Sequence, residues 1–217
     1  MPDNKPVLAI LPVTRRLDPA MLGDNGFERV EGDRYFTETW VTQALLDAVR
    51  FRGWIWEPAC GRGDMVKILE EYGYAISASD IAGDSLGCTT AHKIEFLTGR
   101  MEVDLNDEFS IVTNPPYIMA EEFIRRSLEL TKHAGGMVAM LMRNEYDCAA
   151  SRRDLFERDC FAAKLVLTRR PRWVDDRHSA SPRHNFAWYL WDWQHSGAAR
   201  IEWLPREAPL PLFAEQG

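Results

Sequence analysis

Short apolar runs that lack polar alternation, SIVT at 110–113 and GMVAMLM at 136–142, constrain this chain more than any other feature. A strand with no solvent-facing side must be covered on both faces, which is the situation of a central strand in a parallel sheet. The intervening segments carry the complementary pattern. Phe123, Ile124, Leu128 and Leu130 recur at helical spacing over 121–133, and Trp40, Val41, Ala44, Leu45, Ala48 and Val49 do so from Thr39 onward. Thr37 or Thr39 stands where it can cap that first helix. GWIWEP (53–58), YAISASD (74–80), KIEFL (93–97), 163–167 and the aromatic-rich 186–193 read as further strands. Residues 64–72 and 151–158 read as helices. Strands alternating with helices predict an α/β domain built on a doubly wound, mostly parallel sheet of seven strands.

One substantial domain of this kind uses most of the 217 residues. Residues 1–30, rich in Pro, Gly and Asp, read as an irregular N-terminal arm. Residues 31–204 read as the domain, and 205–217, with Pro209 and Pro211, as an irregular tail. No run of about 18 apolar residues exists to span a membrane. The apolar stretch at 7–11 is broken by Pro12 and is too short for a signal peptide. Cys60, Cys88, Cys148 and Cys160 have neither disulfide-scaffold density nor paired zinc spacing, so no metal site is expected. The thiols read as free and the compartment as reducing and cytoplasmic. A net charge of −7 disfavours a nucleic-acid partner on average, yet residues 141–185 carry 10 Lys and Arg against 7 Asp and Glu. Those counts fit a solvated surface and a DNA-facing patch equally well.

Three motifs carry chemistry. The first is Glu57-Pro58-Ala59-Cys60-Gly61-Arg62-Gly63, where a strand turns into a helix. Glycines there let backbone approach a ligand closely, and the acid four positions earlier accepts hydrogen bonds from a ligand amine or hydroxyl. Val66 stands where a dinucleotide fingerprint would place its third glycine, which disfavours a pyrophosphate ligand and favours S-adenosylmethionine. The second is Asp80, a carboxylate ending the next strand, in position to bind ribose hydroxyls; alone it reads equally well as a turn former. The third is Thr113-Asn114-Pro115-Pro116-Tyr117, directly after a buried strand. Two prolines remove backbone donors and leave carbonyls that need not pair within a sheet. With the Asn114 side-chain oxygen they form an acceptor pair for the two hydrogens of a planar NH2 group. Tyr117 adds a flat face on which a base can stack.

The order of these motifs resembles that of the N6-adenine DNA methyltransferases, particularly small phage-type and prophage-type members, over roughly residues 31–193. The resemblance implies a class I methyltransferase fold with its last strand antiparallel. It implies S-adenosylmethionine as cofactor, held by Glu57, Pro58, Cys60, Gly61 and Gly63, with Asp80 on the ribose. Tyr35, Thr37, Thr39 and Trp40 are similar to the family's N-terminal segment over the methionine moiety, and Glu95-Phe96 to its adenine-contacting acidic-aromatic pair. Asn114, Pro115, Pro116 and Tyr117 match the catalytic tetrad, and Asn114 also touches the cofactor. Arg170-Pro171-Arg172-Trp173, and then Asn185-Phe186-Ala187-Trp188, are like the family's segment near the target base, while Arg169, Arg170, Arg172, Arg177 and Arg183 are the candidates to meet phosphates or guanine edges. That stretch, 168–185, is the expected substrate loop, because few residues remain for a separate recognition domain.

Asn-Pro-Pro-Tyr also occurs in enzymes that methylate protein glutamine amides and in RNA methyltransferases, so those substrates stay open beside DNA. A non-catalytic module that binds nucleic acid or cofactor, and a nucleotide-dependent oxidoreductase, are the rivals from other classes. The aromatic stripe Trp188, Tyr189, Trp191 and Trp193 reads as sheet packing, and His178 and His184 as surface residues.

Overall fold

In a computed structural model, residues 37–99, 107–172 and 184–205 are described. The N-terminal arm, most of the substrate loop and nearly all of the tail therefore lie outside the described residues, and so do Tyr35, Trp173, His178 and Arg183.

Eight strands form one sheet. They are β1 (Trp54–Glu57), β2 (Ile76–Asp80), β3 (His92–Lys93), β4 (Phe109–Thr113), β5 (Met137–Arg143), β6 (Phe161–Leu167), β7 (Phe186–Asp192) and β8 (Arg200–Leu204), and their spatial order is β3-β2-β1-β4-β5-β7-β6-β8. β1 pairs parallel to both β2 and β4, and β4 parallel to β5. β7 runs antiparallel to β5 and β6, between which it is inserted. The antiparallel strand is thus the seventh, as expected. An eighth strand follows it and pairs parallel to β6 at the sheet edge.

Helices α1 (Thr39–Ala48) and α2 (Asp64–Glu71) cover one face, and α3 (Ala120–Lys132) and α4 (Arg153–Phe156) the other. The two-residue period of a strand divides its side chains between these layers. Ile55, Val112, Ala139, Leu141, Trp188 and Leu190 pack beneath α1 and α2. Their chain neighbours Trp56, Ile111, Val138, Met140, Tyr189 and Trp191 pack beneath α3 and α4. Both faces are apolar, which is why β4 and β5 carry no alternation. The indole nitrogens of Trp188 and Trp191 donate to the carbonyls of Val41 and Leu155, so the aromatic stripe ties helices to the sheet.

Three local expectations are corrected. Helix α1 has Glu38 at its N-cap and no side-chain cap; the Thr37 hydroxyl instead accepts from Asn114. The strand expected over 93–97 stops at Lys93. Beyond it the Glu95 carboxylate accepts from its own neighbours, the Leu97 N–H and the Thr98 hydroxyl, which turns the chain away from the sheet. Strand β8 was missed because Ile201 and Trp203 face solvent and only Leu204 is buried, so no buried face marks it in the sequence.

Gly53, entering β1, has φ +64°, and a Cβ there would lie 1.7 Å from the Glu108 carbonyl oxygen. Gly53→Ala is expected to lower stability by about 2 kcal/mol or more, seen in urea unfolding as a lower midpoint at unchanged slope.

Candidate functional site

The turn leaving β1 is built from its conflict with ordinary backbone. Gly61 (φ 51°) and Gly63 (φ 83°) are left-handed, and a Cβ on Gly63 would press on the Cys88 sulphur at 3.0 Å. The end of β2 braces this turn. Asp80 accepts the Gly61 N–H on Oδ2 at 3.0 Å and the Ala82 N–H on Oδ1 at 2.8 Å, and the Cys60 N–H donates to the Ser79 carbonyl at 3.0 Å. Cys60 is buried. Burial, with Glu57, Cys88 and Asp80 adding to it, pushes its thiol far above the usual range, so the residue serves through its backbone rather than as a thiolate.

Glu57, the last residue of β1, is only 1% exposed. Its Oε1 accepts the Thr113 hydroxyl at 2.5 Å and the Ala59 N–H at 3.1 Å. Its Oε2 is buried and has no partner among the described residues. Burial pushes the carboxyl up to about 8; the two hydrogen bonds oppose that rise and nearby Asp80 reinforces it. At neutral pH Glu57 is therefore mainly the neutral acid.

On the other side, β4 delivers Asn114. Its Nδ2 donates to the Thr37 hydroxyl at 3.2 Å and its Oδ1 accepts the Tyr117 hydroxyl at 3.0 Å. Held at both ends, the amide has a defined orientation. The Tyr117 ring is half-buried and lies 5.8 Å from Phe186 at a 33° tilt. Pro115 is buried, and the Pro116 carbonyl accepts the Met119 N–H, which starts the turn into α3.

One cavity joins the two sides. Glu57, Pro58, Cys60, Gly61, Asp80, Glu95 and Phe96 line one end, and Thr37, Asn114 and Pro116 the other. Among the described residues its wall carries the carboxyl groups of Glu57, Asp64, Asp80 and Glu95 and no Lys or Arg. Phe96 is buried against Trp56 (5.2 Å, edge-on) and Phe123 (4.8 Å). The sequence reading missed Ile81, Met119 and Phe123 in this wall. The one signal for Ile81 in the sequence is its place directly after Asp80; its exposure is seen only in the structure.

Other expected site residues stand apart from the cavity. Gly63, Pro115 and Tyr117 are not among the residues that line it. Thr39 is exposed at the start of α1. Trp40 packs on the core, donates to Glu38 at 2.8 Å and carries the Arg169 guanidinium 4.6 Å above its ring. Arg170 donates to the Asn185 side chain at 2.9 Å, and the Arg172 N–H donates to Glu38. The described residues contain no His, Cys, Asp and Glu group fit to hold a metal, and no helix long and apolar enough to cross a membrane.

No protein-family model and no curated protein matches the chain. Among solved structures, a Listeria monocytogenes protein assigned to the class I S-adenosylmethionine-dependent methyltransferases superposes with a TM-score of 0.54 at 12% identity, over 85% of this chain and 70% of that one. A protein from Vibrio vulnificus assigned as the modification subunit of a type I restriction enzyme gives 0.48 at 13%, over 82% and 47%. The M protein of the type I restriction enzyme EcoKI gives 0.49 at 13%, over 84% and 50%. The chain thus spans about half the length of these last two. At such identities the likeness concerns fold alone. The fold shared with the Listeria protein is an α/β fold on a mostly parallel sheet with antiparallel pairing at β7.

The raised Glu57 carboxyl has a consequence for stability. Between about 4.5, its ordinary value, and about 8, the folded protein holds a proton that the unfolded chain has lost. The stability this contributes is fully present below that window and is lost as pH rises through it. Unfolding of the free protein followed from pH 5 to 8.5 should show this decline, and Glu57→Gln should remove that component.

Proposed function

We propose that this chain is an S-adenosylmethionine-dependent N-methyltransferase whose target is an exocyclic amino group, N6 of adenine in DNA. The observation that carries the reading is the single cavity bounded at one end by Glu57, Gly61, Asp80 and Glu95 and at the other by Asn114 and Pro116. The described part of the wall is acidic, which suits a ligand bearing cationic groups and a ribose and opposes the pyrophosphate of a dinucleotide. The unpartnered Glu57 Oε2 is a buried polar atom that a cationic ligand would satisfy. The residues present therefore fit the cofactor: Glu57 and Gly61 beside its amino-acid part, Asp80 at its ribose, and Glu95, Phe96 and Ile81 around its base.

When bound, the cofactor supplies the methyl group. Asn114 Oδ1 and the Pro115 carbonyl accept the two hydrogens of the target NH2, which directs the nitrogen lone pair inward and stabilises positive charge as the new C–N bond forms. Thr37 and Tyr117 keep the Asn114 carbonyl pointed at that position. Tyr117 also supplies the ring on which a base that has left its stack can rest; unstacking costs a few kcal/mol. No strong base is required, because the methylated ammonium loses its proton readily.

Support for a DNA substrate comes from the arginines. Arg169 on Trp40, and Arg172 tied to Glu38, set a basic segment beside α1, and Thr37, two residues before that helix, holds Asn114. Arg170 and Arg172, with Trp173 and Arg183 of the same loop, are assigned to the phosphate backbone and the target base.

Asn114→Ala and Tyr117→Ala are expected to slow transfer by about 100-fold or more while calorimetric binding of S-adenosylhomocysteine persists. Wild-type rates in both variants would remove the tetrad from the mechanism. With labelled cofactor, label should enter duplex DNA as N6-methyladenine; label confined to RNA or to protein would end the DNA reading. Arg170→Ala and Arg172→Ala should each weaken DNA binding and flatten its log–log salt dependence by about one unit, measured by anisotropy across a salt series.

A further inference from the structure

Thr113 lies outside the amine-binding tetrad, yet its hydroxyl joins the two halves of the site. It is fully buried at the end of β4 and donates across to Glu57 at the end of β1. β1 and β4 are adjacent parallel strands, paired through Trp56 and Ile111, so the two side chains meet where both strands finish. Both donors that reach the carboxyl, Thr113 and the Ala59 N–H, fall on Oε1. The other oxygen is left without a partner in a residue that forms part of the cavity wall.

We propose that Thr113 is a positioning residue: by holding Glu57 Oε1 it leaves Oε2, the oxygen without a partner, to a cationic group of the cofactor. The inference rests on the methyltransferase reading of the cavity and extends it to a residue and a proton count.

The balance is simple. In the free protein the acid proton belongs on Oε2, because Oε1 already receives two donors. A cation placed against Oε2 favours the carboxylate, the proton passes to solvent, and no covalent bond of the cofactor changes. The groups around Glu57 agree with this. From β2 the Asp80 carboxylate raises its proton affinity, and from the β1–α2 turn the buried Cys60 thiol is neutral. Among the described residues β4 contributes the Thr113 hydroxyl and the segment before α1 contributes Thr37, while Asp64 of α2 and Glu95 after β3 add further acidic groups to the same cavity. None of the described residues lining the cavity is a Lys or Arg that could keep the carboxyl ionised before the ligand arrives.

The test is calorimetry with S-adenosylhomocysteine at pH 7 in two buffers of different ionisation enthalpy, repeated from pH 6 to 9. The wild-type protein should release between about half a proton and one proton on binding at pH 7, and almost none at pH 9. Thr113→Val, which keeps the shape and removes the donor, should weaken binding about tenfold at pH 7 and move the proton-linked part of the pH profile upward. Thr113→Ser should restore both. Glu57→Gln should bind without releasing a proton, and this variant keeps the idea testable if Thr113→Val does not fold. Binding that weakens equally at every pH in Thr113→Val, with the proton count unchanged, would reduce Thr113 to a packing residue and overturn the proposal. Wild-type binding with no proton release would overturn it while leaving the methyltransferase reading intact. Failure of the wild-type protein to bind S-adenosylhomocysteine at all would sink that reading and this inference with it.

Discussion

β1 lies between β2 and β4 with all three strands parallel, so the segments leaving their carboxyl ends emerge side by side on one edge of the sheet. The connections leave in different directions. The turn after β1 runs into α2 on one face, and the Asn-Pro-Pro-Tyr turn after β4 runs into α3 on the other. A crevice must open where neighbouring strands send their chains to opposite faces. The residues at its rim are the ones with chemistry: Glu57, Asp80 and Asn114 are the last or next residues of those three strands. A one-residue slip of β4 against β1 would turn Thr113 toward the other layer and part its hydroxyl from Glu57.

Electrostatics give this crevice its selectivity. Among the described residues four acidic side chains and no basic one line the cavity, and burial favours the neutral acid of the deepest of them, Glu57. Such a wall is costly when empty and becomes favourable when a cation enters. The arginines stand elsewhere, on the segment beside Trp40 and Glu38, where they can meet an anionic partner without neutralising the cavity. The separation of sign accounts for a chain that is acidic overall and locally basic near its proposed substrate.

Much of this was legible in the sequence because its signals are local. Unalternating runs announced β4 and β5, helical spacing announced α1 and α3, and the Gly-x-Gly and Asn-Pro-Pro-Tyr turns announced the two rims. What stayed hidden depends on tertiary partners. Thr113 reads as a strand residue until β1 brings Glu57 to it, and Thr37 reads as a helix cap until Asn114 claims its hydroxyl. The Glu95 side chain ends β3 early by bonding to its own turn, a competition that strand propensity does not register. β8 is an edge strand with its apolar residues outward, so the rule that buried residues mark a strand had nothing to detect.

The most direct measurement is a crystal structure of the protein with S-adenosylhomocysteine bound. The account predicts the ligand in the crevice, its ribose on Asp80, its base between Ile81 and Phe96, its amino-acid end on Glu57 and its sulphur toward Asn114. A ligand seated anywhere else, or one whose sulphur faces away from Asn114, would contradict it.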